Sequence, residues 1–292
     1  MLMKRLNLLL VMALLLSLLV GCRGNNIQYD IAATTLPVYE FTAALCSGTE
    51  LHVGRMVTES VSCLHDYSLQ VRQMRMLEAA QVVVISGAGL EDFLDKALTD
   101  VRTLIDASAN THMHEHAHNH EHADHHHEQD PHIWLSPENA RIMVQNICTG
   151  LTAAYPQHTA VFSANLDSLL SRLETLEQYG KDTLSQLSCR NLITFHDGFS
   201  YFAESFGLNI LHSAEEESGS EASAAELKDL IQLIEENRLP AVFTEKNGSD
   251  AAAKIISTET GVPTFALDMG MSGGSYFTAM YHNINTIKEA LG

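Results

Sequence analysis

Short apolar runs of β type, each followed by a helical pattern, recur along most of this chain, and that alternation constrains its fold more than any other feature. "IAATTL" precedes "VYEFTAALC", "LHVGRMV" precedes "SLQVRQMRMLEAA", "VVVIS" precedes "LEDFLDKALTDV", and "TLIDAS" precedes a histidine-rich loop and "PENARIMVQNICTGLTAAY". A second series follows: "NLITF" with "SYFAESFG", "LNILHS" with "SAAELKDLIQLIEENR", "AVFTE" with "SDAAAKIISTETG", and "PTFAL" with "SYFTAMYHNINTIKEAL". A parallel strand reaches its neighbour only through a long crossover, usually a helix, so this pattern predicts parallel sheets covered by helices. The expected fold is α/β, with two lobes that each hold an approximately four-stranded parallel sheet flanked by helices.

Between the halves, Phe162, Leu166, Leu169, Leu170, Leu173, Leu176, Leu184 and Leu187 recur mostly at helical spacing, with no proline among them. The spacing predicts one long amphipathic helix over residues 157–188, weakened only at Gly180. It would join a first lobe of residues 31–156 to a second of residues 189–292. A continuous helix resists hinge opening, so the lobes are expected to move little when a ligand binds.

The chain starts "MLMKRLNLLLVMALLLSLLVGC", two cations ahead of an apolar run that ends at Gly21 and Cys22. The apolar core is short against the ~20 residues of a membrane span, so residues 1–21 read as a cleaved secretory signal. Leu19, Val20, Gly21 and Cys22 resemble the bacterial lipoprotein signal, whose cysteine becomes a lipidated N-terminus. Residues 22–30 would then be a tether, and the protein would sit outside the cytoplasm, lipid-anchored to the bacterial cell membrane. Its formal charge is −19, and loss of Lys4 and Arg5 leaves 15 basic residues against 36 acidic ones. Such a field excludes nucleic acid as a partner and suits a cation. Four cysteines remain, Cys46, Cys63, Cys148 and Cys189. Outside the cytoplasm they can form disulfides, with Cys46–Cys63 and Cys148–Cys189 the favoured pairs and buried free thiols the other reading.

Residues 111–128 carry His112, His114, His116, His118, His120, His122, His125, His126 and His127. Imidazole attracts borderline divalent metals, but alternating histidines in a polar run hold no single geometry, so the loop reads as a flexible segment for weak metal capture. His132 differs, because Pro131 restricts its backbone and Trp134, the only tryptophan, can pack beside it. In open α/β sheets, ligands bind beyond the carboxyl ends of the strands. His196 follows "NLITF", Asp268 follows "PTFAL", His65 lies in the loop after "LHVGRMV", and His132 lies in the connection after "TLIDAS". Two candidates per lobe can face one cleft, and three imidazoles with a carboxylate match the tetrahedral preference of zinc. If Asp268 does not bind, water takes the fourth position. Ligating histidines need acceptors that fix the tautomer; Asp66, Asp130, Asp197 and Glu245 are candidates, Glu245 the favoured one. His52, His158, His212 and His282 lack such placement and are expected to be structural or solvated. The helical HExxH signature of zinc hydrolases is absent, as is any phosphate-loop pattern, so a binding protein is expected rather than an enzyme.

The segments "LHDYSLQVRQMRMLEAAQVVVISGAGLEDFL", "DPHIWLSPENA", "FHDGFSYFAESFGL", "VFTEKNGSDAAAKIISTETGV" and "LDMGMSGGSYFTAMYHNINTIKEAL" resemble the metal-binding lipoproteins of zinc and manganese ABC importers. The resemblance runs in order through nearly all of the mature chain. It implies two lobes joined by a rigid helix, with one metal ion held between them. His65 of "HDYS", His132 of "DPHIW" and His196 of "FHD" match the three metal ligands of that family, and Asp268 of "LD" its acidic fourth position. Manganese members usually place glutamate where His196 stands, and a third imidazole in place of a hard carboxylate shifts preference toward zinc. The histidine-rich loop is likewise similar to the zinc members. Leu64 and Val71 stand where the family often has proline, Cys63 is unexpected, and "LDMGMSGG" lacks the usual proline after aspartate. The implied function is a monomeric extracytoplasmic component of an ABC importer that captures Zn²⁺ with high affinity and delivers it to a permease driven by a cytoplasmic ATPase. The alternatives are a manganese or iron importer component, or a zinc-buffering or adhesion lipoprotein without transport. Only neutral imidazole binds metal, so affinity is expected to fall as pH drops through about 6.5.

Overall fold

Eight strands, all paired in parallel, form two separate sheets in the computed structural model, which describes residues 29–59, 64, 67–114, 130–213, 223–271 and 273–292. The first sheet has the order β2-β1-β3-β4, with β1 (Ile31–Ala33), β2 (Val53–Arg55), β3 (Val82–Ile85) and β4 (Leu104–Asp106). The second has the order β6-β5-β7-β8, with β5 (Asn191–Thr194), β6 (Asn209–Ser213), β7 (Val242–Glu245) and β8 (Thr264–Leu267). Central strands covered on both faces need continuous apolar sequence, and Ile31, Ala32, Ala33, Val82, Val83 and Val84 are all fully buried. The two sheets repeat one topology. In each, the order reverses between its first and third strands, and such a reversal opens a crevice at the carboxyl ends.

The helices are α1 (Leu36–Leu45), α2 (Val71–Ala79), α3 (Asp95–Leu98), α4 (Pro137–Ala154), α5 (Thr159–Thr183), α6 (Ser200–Ser205), α7 (Ala224–Asn237), α8 (Ala251–Thr260) and α9 (Tyr276–Leu291). Several boundaries follow from single residues. Ser136 accepts the Asn139 N–H ahead of Pro137 to start α4, and Ser223 with Glu226 forms a capping box on α7.

The long helix α5 is shorter than residues 157–188 at both ends. Pro156 opens a separate 3₁₀ turn, Pro156–His158, before it. At its far end, Arg190 donates to the carbonyls of Leu184 at 2.9 Å and Ser185 at 3.1 Å, satisfying groups that a longer helix would have bonded internally. Gly180 serves as a contact point rather than a weak point, since a methyl group there would collide with the Phe206 ring. The helix packs against α1 and α4 of the first lobe and α9 of the second.

A shared apolar core joins the lobes, with Phe41, Trp134 and Phe162 in the same cluster as Phe202, Tyr276 and Ile284. Polar contacts fix their relative position. Trp134 Nε1 donates to Met269 O at 2.7 Å, and the Tyr276 hydroxyl donates to Trp134 O at 2.9 Å. Glu40 on α1 accepts the Tyr276 N–H and the Ser275 hydroxyl, so a carboxylate of one lobe caps a helix of the other.

Cys46, Cys148 and Cys189 are free thiols, which corrects the expected Cys148–Cys189 pair. Cys148 lies on α4 in the first lobe, whereas Cys189 leads into β5 of the second and donates to Asn191 O. Burial pushes the Cys46 thiol up to about 12, far from a reactive thiolate. Its expected partner Cys63 lies outside the described residues, as do Cys22 and the signal segment of residues 1–21. Among the described residues, no helix is long and apolar enough to cross a membrane.

Candidate metal site

His132 and His196 approach each other from opposite lobes. His196 stands two residues beyond β5, beside the point where the strand order reverses between β5 and β7. His132 leads into a buried 3₁₀ turn, Ile133–Leu135, that precedes α4. Both histidines are 3% exposed. Their Nε2 atoms are 3.4 Å apart, and the ring planes meet at 86°.

Asp130 sets the chemistry of the first histidine. Its Oδ1 accepts both the backbone N–H of His132, at 3.0 Å, and the ring Nδ1–H, at 2.8 Å. With that proton held on Nδ1, Nε2 presents a lone pair toward His196. Glu245, the last residue of β7, places Oε2 3.8 Å from His196 Nδ1 and favours the same tautomer there. Two imidazole lone pairs at this separation repel unless a proton or metal cation lies between them. Zinc–nitrogen bonds of about 2.0 to 2.1 Å at a tetrahedral angle set two ligand nitrogens about 3.3 to 3.4 Å apart, which is the separation seen.

Packing holds both rings in place. Trp134 meets the His132 ring edge to face with centroids 5.4 Å apart. Gly198 leaves room for the pair, because a Cβ there would lie 2.8 Å from His196 Cδ2 and 3.0 Å from His132 Nδ1.

Asp268, one residue past β8, engages Lys246 rather than joining the two imidazoles. Its Oδ2 lies 3.1 Å from Lys246 Nζ, and its Oδ1 accepts the Gly270 N–H at 2.8 Å. Buried Asn283 clamps its backbone, accepting Asp268 N–H at 2.7 Å and donating to Asp268 O at 2.8 Å. Among the described residues, no three histidine, cysteine, aspartate or glutamate side chains are grouped so as to hold a metal ion. The remaining candidate ligand, His65, lies outside the described residues together with Asp66.

Of the loop histidines, His112 and His114 are described, and His116, His118, His120, His122, His125, His126 and His127 are outside the described residues. The His112 backbone is bonded on both sides to Asn139, and the His114 ring meets Glu204 of α6 at 2.6 Å. Asp130 N–H donates to His114 O at 3.2 Å, so the two described ends of the loop meet. The Tyr201 hydroxyl closes this junction, accepting from His114 N–H at 3.0 Å and donating to Asp130 O at 2.8 Å. The other histidines are satisfied elsewhere or exposed: His52 faces Asp30, His158 faces Glu50, His282 meets Ala266 O, and His212 is exposed on β6.

Sequence reasoning missed Lys246, Tyr201 and Glu40, each of which acts across the fold. Only Lys246 left a trace, as a cation directly after the strand-end residue Glu245.

The profile of a protein family described as ZnuA, zinc-uptake complex component A, periplasmic, matches residues 31–290. A zinc-binding lipoprotein, AdcA of Streptococcus pneumoniae, is 30% identical over 98% of this chain, which spans 61% of that relative's length. A putative metal-binding protein of Treponema pallidum is 27% identical over 84% of this chain and 82% of its own. The fold is similar to the crystal structure of the Zn(II)-bound ZnuA-like domain of S. pneumoniae AdcA, with a TM-score of 0.75 and 27% identity over 90% of this chain and 99% of that one.

Proposed function

This chain belongs to the ZnuA family of periplasmic zinc-uptake components, and from that membership we propose that it captures Zn²⁺ between its two lobes and hands it to the permease of an ABC importer. The family comprises uptake-complex components, not enzymes. In this reading His132 and His196 supply one imidazole from each lobe, His65 supplies the third, and Asp268 or water stands at the fourth position. The observation that carries the reading is the 3.4 Å separation of the two Nε2 atoms, with Asp130 fixing one tautomer. Borderline nitrogen donors favour zinc over manganese.

The proposed organisation around that cleft is a signal of residues 1–21, lipidation at Cys22, a tether to residue 30, and lobes of residues 31–156 and 189–292. A lipid anchor would keep the protein at the outer face of the membrane, beside the permease. The loop histidines would bind further zinc weakly. Their root at His114 and Asp130 is two residues from His132, which gives captured zinc a short path to the cleft.

Competitive zinc titration of the mature chain tests the reading. One tight zinc is expected per chain, and His132→Ala and His196→Ala should each weaken it by more than about 100-fold, beyond the loss typical of outer contacts. Unchanged affinity in both variants would exclude this cleft. Import is tested separately: a strain lacking the protein should grow poorly on low zinc, recover on high zinc, and not be rescued by the double histidine variant.

A further inference from the structure

Lys246 and Asp268 are neighbours because of strand register. Glu245 of β7 pairs with Leu267 of β8, so the next residue of each parallel strand emerges on the same side of the cleft. The Lys246 N–H donates to Leu267 O at 2.8 Å and fixes the backbone there. From that position the ammonium comes within 3.1 Å of Asp268 Oδ2; the lysine side chain is 55% exposed and the carboxylate 7%. The acid is held rigidly by Gly270 and Asn283, while the lysine reaches over it from solvent.

We infer that Lys246 is a specificity-determining residue: by pairing with Asp268 it withholds a hard oxygen donor from the cleft, leaving imidazole nitrogens to select the cation. The inference rests on the reading of the cleft as a zinc site. Oxygen donors add affinity for any divalent cation, and proportionately most for hard ions such as Mn²⁺, whereas imidazole favours zinc. A carboxylate already neutralised by an ammonium adds little to either. A lysine this exposed contributes little to stability through such a pair, so its replacement leaves the fold intact.

The test compares wild type, Lys246→Met and the double variant Lys246→Met with Asp268→Asn, titrated with Zn²⁺ and with Mn²⁺. In Lys246→Met, Mn²⁺ binding should tighten roughly tenfold or more, as expected when an adjacent unit charge no longer offsets the carboxylate. Zinc should gain less, so the preference for zinc over manganese falls. The double variant should return Mn²⁺ affinity to within about threefold of wild type, the scatter of additive substitutions. X-ray absorption at the zinc edge should show the coordinating water of wild type exchanged for a carboxylate in Lys246→Met, with the number of oxygen neighbours unchanged. An unchanged metal preference, or a gain that persists without Asp268, would overturn the role of Lys246 while leaving the zinc site standing. Absence of a tight zinc site in wild type would overturn the functional reading and the inference together.

Discussion

The indole nitrogen of Trp134 donates to the backbone oxygen of Met269 at 2.7 Å, and this bond ties the turn that carries His132 to the loop that follows Asp268. Both partners are buried, so neither has water as a substitute. Trp134→Phe keeps an aromatic ring but leaves the Met269 carbonyl without its donor. Such a loss costs about 1 to 3 kcal/mol. Urea unfolding of the zinc-free variant should show a destabilisation of that size; an unchanged midpoint would mean that this bond does not hold the lobes together.

Asp130 orients His132 through two hydrogen bonds to one oxygen. Asp130→Asn keeps an acceptor but removes the charge that raises imidazole basicity. Calorimetric titration should find zinc binding weakened by about 10- to 100-fold, the usual effect of removing such a partner. An affinity equal to wild type would assign Asp130 to loop closure alone.

Gly198 is the position at which a single methyl group tests the geometry of the pair. Gly198→Ala would set its Cβ 2.6 Å from the Met269 methyl group and 2.8 Å from His196 Cδ2, so both neighbours must shift. The two Nε2 atoms should spread, lowering zinc affinity roughly tenfold, equivalent to about 1.4 kcal/mol. Equal zinc affinity in the alanine variant would show that the rings tolerate displacement.

Glu91 predicts a pH dependence in the first lobe, away from the histidines. Burial is the main cause that raises its carboxyl to about 7, and nearby Asp106 adds to it, against hydrogen bonds from Thr34, Ser86 and Gly87 that pull the other way. The folded chain therefore keeps a proton there at pH values where the unfolded chain has lost it. This contribution is fully present below about pH 4.5, the ordinary carboxyl value, and is lost as pH rises through about 7. Between pH 5 and 8, zinc-free wild type should lose about 2 to 3 kcal/mol relative to Glu91→Gln. The glutamine variant leaves Gly87 N–H poorly matched and should start from a lower stability, but with the flatter slope. Parallel slopes in urea unfolding across this range would contradict the assignment.

The parts of the molecule set by local pattern were legible in the sequence, and those set by register or by contacts between lobes were not. All eight strands coincide with the apolar runs, because buried parallel strands such as β3 must be continuously apolar. The placement of His196 was legible because it stands just past β5, and strand ends in this architecture face the crevice. Glu245 was favoured as the orienting carboxylate for its strand-end position, yet Asp130 makes the closer contact, 2.8 Å against 3.8 Å, through a turn whose geometry no periodicity reveals. Cys148 and Cys189 were paired by their order in the chain, which ignores that α4 and β5 belong to different lobes. The Lys246–Asp268 contact depends on how β7 and β8 align, and a one-residue change in register would separate the two. Helix α5 was recognised from its leucines, but its ends were fixed by Pro156 and by Arg190, seven residues beyond the last helical residue.

In the proposed function the two lobes grip one cation between His132 and His196. Because His114 and Asp130 are already bonded to each other, residues 115–129 can be replaced by a short linker without pulling the cleft apart. Anomalous diffraction at the zinc edge from crystals of that shortened chain is the most direct measurement. A single strong peak should lie about 2.0 to 2.1 Å from both Nε2 atoms. Zinc located elsewhere on the shortened chain, with no peak between the two rings, would contradict the account.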